Sequence, residues 1–431
     1  MFIATRAVQH RKLLSFVFCV VQCEVSFTGG YFMDAYIYDA VRTPRGSTRK
    51  NGALQGVAPV ELVKQLFTAI EARKNGLLEH TEDLVLGSVT QVKDQGANIA
   101  KTAALYAGIP YEVPAMTITR LCPSGLDAVA IAANKVHSGS DDLVIAGGVE
   151  SVSRVPMFAD EGAWFANQSV SERTKFVQMG ISADLIATLE DQNRQQLDDY
   201  AAQSHQRALR ATKEGVFHNS LVPVKDSDGH VLLAHDECIR PNTTAESLAS
   251  LEPSFERFFT PRQRETVKED FPQLTGIQHV HHAGNSPMLA DGASLIVVGS
   301  RAVRERLNMQ PKARIVGVAN VSDHPMLLLG GQKAAEKVLA KNHLSIVDMD
   351  VIEFYEAYAS TTVKAMNDWR VDSAKFNPNG GVIAMGHALG ATGAMMLCTL
   401  LDELTRTNGK YGLVALSGGA GIGTAMIIEK L

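Results

Sequence analysis

The sequence has 431 residues, of which 45% are hydrophobic and 20% are charged, with a formal net charge of −5. A chain of this length buries a large core and is expected to contain more than one domain or a duplicated one. The acidic balance argues against a protein that binds nucleic acid through its overall charge. Five scattered cysteines are too few for a disulfide framework, and no spacing of Cys and His predicts a metal site, so we expect none. These are Cys19, Cys23, Cys122, Cys238 and Cys398.

Residues 1–32 differ in composition from the rest of the chain. Three Lys or Arg residues precede an apolar run over residues 13–21, and no acidic residue occurs before Glu24. The run is too short to span a bilayer, so this extension predicts a signal peptide, a mitochondrial transit peptide or upstream sequence that is not translated. We expect a mitochondrial protein without stable membrane insertion, or a cytoplasmic protein if translation starts at Met33.

Two distant stretches, residues 122–148 and 386–419, share one layout. Each has a Gly- or Ser-rich loop with a reactive residue, a helix of small apolar residues, a turn and a short apolar strand that ends in Gly-Gly. The strands "DLVIAGG" and "GLVALSGG" are apolar at successive positions, as expected when helices cover both faces of a sheet. Two unrelated αβ units would read similarly, but the matching loops favour a duplicated α/β fold.

The segment between the two halves is more polar. Residues 154–280 contain a charged helical stretch and a hairpin with its turn at Asp228-Gly229. We interpret this segment as an inserted domain that covers one face of the core. The first half then comprises residues 33–153, with a strand from residues 281–300 returning to it, and the second half comprises residues 281–431.

Cys122 is the candidate nucleophile. It lies in "TRLCPSGLDAV", just before a predicted helix, and Pro123 suits a first helical turn. The positive end of a helix dipole favours thiolate over thiol, so we expect an activated cysteine. A single cysteine is more often a buried structural residue, which makes the assignment depend on a base.

His387 is the candidate base. It lies among glycines in "NPNGGVIAMGHALGATGAM", ahead of the second small-residue helix. Glycines permit close approach of the backbone to a ligand. If the two halves pack about a pseudo-twofold axis, the two helix starts converge and Cys122 meets His387.

The ordered motifs "CPSGLDAV", "GGVESVSRVPM", "AGNSPMLADGAS", "YEAYAS", "NGGVIAMGHALGATGA" and "SGGAGIGTAMIIE" resemble the thiolase family from Met33 to Leu431. The resemblance implies the thiolase fold, a duplicated five-layered αβαβα architecture whose inserted loop domain binds coenzyme A. It also implies a homodimer or homotetramer that uses coenzyme A as a substrate and no prosthetic group. Residues at positions suited to the acyl-CoA are Ser286, Pro287, Arg207 and Met157.

The resemblance implies that Cys122 attacks a 3-ketoacyl-CoA and forms an acyl-enzyme, with His387 activating the thiol. Thiolytic cleavage releases acetyl-CoA, and the reverse reaction is a Claisen condensation. The backbone N–H of Gly419 is implied as an oxyanion donor, a contribution of roughly 3–4 kcal/mol to the barrier.

The sequence departs from the family pattern at several positions. Ser417 replaces the second reactive cysteine and is a poor base. Tyr355 replaces the asparagine that holds an oxyanion-hole water, and its phenol has one hydrogen bond to donate. Ala388 replaces a proline, and Pro287-Met288 replaces Ser-Gly, which adds bulk along the expected pantetheine path. Two hypotheses follow: an acyltransferase, or a thiolase-like acyl-CoA-binding protein with impaired carbon–carbon chemistry.

Overall fold

Strands and helices alternate along the chain in the computed structural model, which describes residues 33–431. The predicted targeting segment, with Cys19 and Cys23, lies outside the described residues. The strands are β1 (Tyr36–Arg42), β2 (Gly46–Ser47), β3 (Asp83–Gly87), β4 (Ala115–Ile118), β5 (Leu143–Ser151), β6 (Val224–Lys225), β7 (Val231–Leu233), β8 (Ala290–Gly299), β9 (Ala313–Ser322), β10 (Val351–Phe354), β11 (Tyr411–Ser417) and β12 (Ile422–Lys430). The helices are α1 (Pro59–Arg73), α2 (Ile99–Tyr106), α3 (Ser124–Ser138), α4 (Ala163–Ala166), α5 (Gln168–Arg173), α6 (Met179–Leu189), α7 (Arg194–Lys213), α8 (Ala245–Ala249), α9 (Pro261–Asp270), α10 (Arg301–Leu307), α11 (Gly330–Lys341), α12 (Ala359–Trp369), α13 (Val382–Met385) and α14 (Thr392–Thr407).

The two halves repeat one sheet topology. In the first half the strand order is β4-β3-β5-β8-β1, with β3 parallel to β4 and β5, and β8 antiparallel to its neighbours β5 and β1. In the second half β10 is parallel to β11, and β12 is antiparallel to β11 and β9. A parallel bridge between Ile352 and Phe376 occupies the place of β4. The predicted duplication is therefore confirmed.

The helices form three layers around the two half-sheets. Helices α3 and α14 pack against each other between the sheets, α1 and α2 cover the outer face of the first half, and α11 and α12 cover that of the second. The half-sheets join at one corner, where β1 pairs with β9 at Tyr36–Arg314 and Ile37–Ala313. This is the predicted five-layered αβαβα architecture.

The central strands are buried on both faces. Every residue of β5 is buried, and six of the seven residues of β11 are buried. Continuous burial explains their unbroken apolar sequences, since helices lie on both sides of each strand. Helix α3 ends where Gly139 takes a left-handed conformation (φ 72°), a C-cap that favours glycine.

Residues 154–280 carry α4 to α9 and the hairpin β6–β7. Gly229 has φ 85° in the hairpin turn, as a tight turn of this kind requires. A buried ion pair anchors the segment to the core: Arg42 Nη1 lies 2.9 Å from Asp236 Oδ1. Helix α7 packs on α12 and α13, so the segment covers the second half. Within residues 33–431, no helix combines the length and the hydropathy that crossing a membrane requires.

Candidate active site

The Cys122 loop joins β4 to α3 through a strained turn. Leu121 has φ 55°, a left-handed conformation that is unfavourable for a residue with a β-carbon. The Ser124 hydroxyl holds the turn, because it accepts from Arg120 N (2.8 Å) and donates to Leu121 O (2.5 Å). Strain held by surrounding hydrogen bonds is typical of functional sites.

The His387 loop lies between α13 and α14 and is fixed to the segment that enters β8. His387 N donates to Met288 O (2.7 Å), and Ala290 N donates to His387 O (2.9 Å). Gly386 has φ 101°, and a β-carbon there would lie 2.8 Å from Cys238 Sγ. Glycine is therefore required directly before the histidine.

The two loops meet because their helices begin against each other. A β-carbon on Gly125 would lie 2.6 Å from Gly390 O, and one on Gly393 would lie 2.8 Å from Leu126 N, so glycines permit this contact. His387 Nε2 lies 3.3 Å from Cys122 Sγ. The convergence of the nucleophile and the base was predicted from the sequence, and the structure brings them together.

The second ring nitrogen of His387 orients the imidazole. Its Nδ1 lies 2.8 Å from Thr392 Oγ1. We assign the tautomer in which Nδ1–H donates to this hydroxyl, because Nε2 then presents its lone pair to the Cys122 thiol. Thr392 was not singled out from the sequence; its position five residues after the histidine, at the start of α14, was the available signal.

Burial sets the charge of the pair. Desolvation raises the pKa of Cys122 to about 11, and the Tyr355 hydroxyl partly offsets that rise. Desolvation, assisted by the positive charge of Arg45, lowers the pKa of His387 to about 3. Desolvation thus favours a neutral thiol beside a neutral imidazole at rest, and it opposes the thiolate that the helix dipole alone would favour.

Tyr355 lies beside both members of the pair. It follows β10, and its ring centroid lies 4.9 Å from that of His387. Burial, together with the neighbouring Cys122 sulfur, raises the pKa of its phenol well above the usual value. The phenol is therefore neutral and available as a donor.

The C-terminal loop contributes Ser417 and Gly419. Ser417 Oγ accepts a hydrogen bond from Gly331 N (2.9 Å) at the start of α11. Ala420 takes a left-handed conformation (φ 57°), which turns the chain after Gly419. Among the described residues, the backbone N–H groups of Cys122 and Gly419 donate to no protein acceptor. Both residues line the same cavity, so their N–H groups are the candidate donors to an oxyanion there.

A buried carboxylate, Glu150, ties the His387 loop to the segment that follows β3. Glu150 accepts hydrogen bonds from Gly390 N (2.9 Å), Val89 N (2.8 Å), Thr90 N (3.1 Å) and Gln95 Nε2 (2.6 Å). Desolvation nevertheless raises its pKa. Glu150 thus fixes the His387 loop against the first half-sheet, a role that its sequence motif "GGVES" did not reveal.

The site opens into a cavity of about 240 Å³. None of the described residues that line it is Lys, Arg, Asp or Glu, so its ionisable side chains are one thiol, one imidazole and two phenols. The lining residues are Cys122, Met157, Met179, Phe255, Ala283, Ser286, Pro287, Leu289, Leu328, Tyr355, Ala357, Tyr358, His387, Leu389, Ser417, Gly418 and Gly419.

Three of the four predicted acyl-CoA residues line this cavity. Met157, Ser286 and Pro287 do, and the buried Ser286 Oγ has no hydrogen-bond partner within residues 33–431. Arg207 does not: its guanidinium donates to Phe376 O (2.8 Å) and Asn377 O (3.2 Å) at the edge of the second half-sheet. This position gives no support to the predicted contact of Arg207 with the acyl-CoA.

The two bulky residues at positions 287 and 288 point in different directions. Pro287 faces the cavity, whereas Met288 packs with Cys238, Ala290 and Ala388 behind the His387 loop. Only Pro287 therefore narrows the cavity. The apolar wall also includes residues that the sequence did not single out, among them Met179, Phe255, Leu328 and Tyr358.

One group of potential metal ligands lies elsewhere among the described residues. Asp226, Asp228 and His230 gather at the exposed β6–β7 turn. Asp226 Oδ1 accepts from the backbone N–H groups of the other two residues (2.9 Å each), so this is a turn motif.

Comparison with known proteins agrees with this geometry over nearly the whole described chain. The family description "Thiolase, N-terminal domain" matches residues 35–259, and "Thiolase, C-terminal domain" matches residues 309–430. The chain belongs to the thiolase family. This thiolase is 36% identical to a β-ketoadipyl-CoA thiolase from Escherichia coli, an alignment that covers 92% of this chain and 100% of the relative. It is 35% identical to a 3-ketoacyl-CoA thiolase from Marinobacter nauticus, covering 92% of this chain and 98% of the relative.

A solved structure shows the same fold. The crystal structure of the Bacillus anthracis acetyl-CoA acetyltransferase is 32% identical in sequence and superimposes with a TM-score of 0.80, covering 93% of this chain and 100% of that chain. The predicted family and fold are thus confirmed by sequence and by structure.

Proposed function

We propose that this thiolase is an acyl-CoA acyltransferase that cleaves 3-ketoacyl-CoA with coenzyme A, and catalyses the reverse condensation, through an acyl-Cys122 intermediate. The observation that carries the proposal is the 3.3 Å contact between Cys122 Sγ and His387 Nε2. A thiol and a base at this distance, with the base held by a third group, form the arrangement of an activated nucleophile. Coenzyme A is a substrate in this reaction, so no prosthetic group is required.

The neutral resting pair defines the order of the first steps. As Cys122 Sγ attacks the 3-keto carbon, its proton moves to His387 Nε2, so charge forms only when the substrate is in place. The backbone N–H groups of Cys122 and Gly419 then stabilise the oxyanion on the attacked carbon. Cleavage of the bond between C2 and C3 leaves the shortened acyl group on sulfur.

The cavity supports a preference for substrates with an uncharged, apolar acyl chain. Its wall is built largely from Met, Phe, Leu and Tyr side chains, and no described lining residue carries a cation that would pair with a carboxylate. A buried, unpaired carboxylate is strongly unfavourable. This thiolase should therefore disfavour the carboxylated chain named in its β-ketoadipyl-CoA relatives. Ser286 Oγ is available to donate a hydrogen bond to the thioester arm.

The exposed edge of the first half-sheet supports a homo-oligomer, most simply a homodimer. Strand β4 ends the sheet, and large apolar side chains cluster on and beside it with exposed fractions of 37–78%. An open, apolar edge strand is a template for pairing with a second copy. The clustered side chains are Leu105, Tyr106, Tyr111 and Met116.

The basic, acid-poor segment before Glu24 supports import into mitochondria. A fusion of residues 1–32 to a fluorescent protein should locate to mitochondria. A diffuse cytoplasmic signal would favour translation from Met33 instead.

The decisive test is cleavage of acetoacetyl-CoA, 3-ketooctanoyl-CoA and 3-ketoadipyl-CoA by the purified protein with coenzyme A. We expect cleavage of the two uncharged substrates and little of the third. Cys122→Ala should abolish this cleavage. Cys398→Ala should retain it, because Cys398 is a buried cysteine within α14. No cleavage by the native protein, with activity gained in Ser417→Cys, would support the acyl-CoA-binding alternative, which no observation favours at present.

A further inference from the structure

The proposed reaction needs a proton carrier that the family position does not supply. The carbanion that leaves as acetyl-CoA must gain a proton, and coenzyme A must lose one before it attacks the acyl-enzyme. Ser417 occupies the position of the family's second cysteine, but an aliphatic hydroxyl does not ionise near neutral pH. Its oxygen is also engaged by Gly331 N–H at 2.9 Å.

Four ionisable side chains line the cavity among the described residues. Cys122 and His387 are already committed to forming the acyl-enzyme. Tyr358 packs edge-to-face against Phe255 and His281, with ring centroids 5.6 and 5.5 Å apart. Tyr355 is the remaining candidate.

Tyr355 combines three features that a proton carrier at this site needs. It lines the same cavity as Cys122, where the substrate carbon is attacked. Its ring lies against His387 (4.9 Å between centroids), which fixes the direction of the phenol. It is 5% exposed, so bulk water does not compete for the proton.

We propose that Tyr355 carries the proton to and from the α-carbon of acetyl-CoA, in place of the cysteine that Ser417 replaces. The inference rests on the proposed thiolase function and adds a catalytic residue to it.

The protons balance through one cycle. Cys122 gives its proton to His387 and bonds to C3, and the C2–C3 electron pair moves to C2. Tyr355 O–H protonates C2, acetyl-CoA leaves, and a phenolate remains. The phenolate takes the thiol proton of the incoming coenzyme A, whose thiolate attacks the acyl group. Cys122 leaves as thiolate and recovers its proton from His387.

The buried environment suits both directions of this transfer. A phenol whose pKa is raised is neutral at rest, which provides the proton for C2. The phenolate formed afterwards is a stronger base than a coenzyme A thiolate, since a thiol has a pKa near ~8.5, so regeneration is downhill.

The test separates acylation of Cys122 from proton transfer at carbon. Native protein is incubated with acetyl-CoA in deuterated water; mass spectrometry follows acetyl-Cys122, and NMR follows deuterium in the acetyl-CoA methyl group. We expect Tyr355→Phe to lower exchange roughly 10²–10⁴-fold while acylation falls far less, because coenzyme A thiolate leaves readily without a proton donor.

Two further variants distinguish a proton carrier from a hydrogen-bond donor. Tyr355→Asn restores the family residue, which donates a hydrogen bond but carries no proton, so its exchange should stay as low as that of Tyr355→Phe. The double variant Tyr355→Asn with Ser417→Cys should recover exchange at least tenfold over Tyr355→Asn.

The outcomes are distinguishable. Exchange retained in Tyr355→Phe, or restored by Tyr355→Asn alone, would overturn the role of Tyr355 and leave the thiolase function intact. Exchange absent from the native protein, with acetyl-Cys122 formed, would overturn the inference while acyl transfer stands. Absence of acetyl-Cys122 from the native protein would remove the proposed function itself and the inference with it.

Discussion

The two halves of this thiolase share one topology but end their sheets differently. In the first half, β4 leaves an open edge with exposed apolar residues around Met116. In the second half, the equivalent position is a single bridge at Phe376, and guanidinium groups from α7 cover its carbonyls: Arg207 binds Phe376 O and Asn377 O, and Arg210 binds Pro378 O at 2.6 Å. A repeated fold thus has one edge free to pair and one edge closed from within.

The two halves carry different reactive side chains at equivalent positions, just before the inner helix of each half. Each inner helix begins at a strained loop, and the first loop holds Cys122 whereas the second holds His387. The backbone provides the convergence, and the side chains provide the nucleophile and the base. The inserted domain is tied structurally to the second half, because its long helix α7 covers the edge of that half-sheet.

The largest effect is expected when the second loop loses its base, the feature that distinguishes it from the Cys122 loop. His387→Gln should lower the rate of cleavage roughly 10²–10⁴-fold, because the amide takes no proton from Cys122. Steady-state cleavage of acetoacetyl-CoA measures it. Thr392→Val removes only the partner of Nδ1 and should cost about two- to tenfold, since one hydrogen bond contributes roughly 0.5–1.5 kcal/mol. Equal losses in the two variants would mean that His387 only supports the loop.

Opening the closed edge should cost stability rather than activity. Arg207→Met keeps the aliphatic stem but leaves two carbonyls without donors, so the free energy of unfolding should fall by roughly 1–3 kcal/mol. Urea denaturation measures this change. Arg210→Met, which loses one bond at a more exposed position, should cost less. The KM for coenzyme A should not change. A clear rise in KM for Arg207→Met would instead indicate that Arg207 contacts coenzyme A.

Charging the open edge should break the proposed dimer. Met116→Lys places a charge on β4, where a lysine discourages pairing between edges. We expect the dimer to weaken at least tenfold, about 1.4 kcal/mol, as measured by sedimentation across a concentration series. Val347→Lys, at an equally apolar but distant exposed position, is the matched control. Equal dissociation constants for the two variants would argue that β4 does not form the interface.

Much of the site was accessible from the sequence because it depends on local patterns. The repeated layout predicts that the starts of α3 and α14 converge and bring Cys122 to His387, and the structure shows glycines where the two helices touch. Tyr355 and Ser417 were found as departures from a motif. The loop that holds each residue is therefore encoded within a few neighbouring positions.

The features that the sequence did not predict depend on packing between residues far apart in the chain. A helix dipole contributes roughly 0.3–1 kcal/mol at a helix start, whereas burial shifts a pKa by up to about 3–5 units, so desolvation decides the state of Cys122. The direction in which Arg207 leaves α7 depends on the bridge at Phe376, some 170 residues away. The apolar wall of the cavity, including Tyr358 and Leu328, comes from segments that only the fold brings together.

The smallest perturbation is a change of pH alone, which tests the neutral pair. With the pKa of Cys122 at about 11 and that of His387 at about 3, the thiolate fraction should rise tenfold per pH unit between pH 6 and 10. Alkylation of Cys122 by iodoacetamide, followed by mass spectrometry, should show this rise without a plateau. An ion pair of thiolate and imidazolium would instead give a constant rate across that range. Tyr355→Phe should keep the slope but lower every rate, because the hydroxyl that lowers the pKa of the thiol is lost.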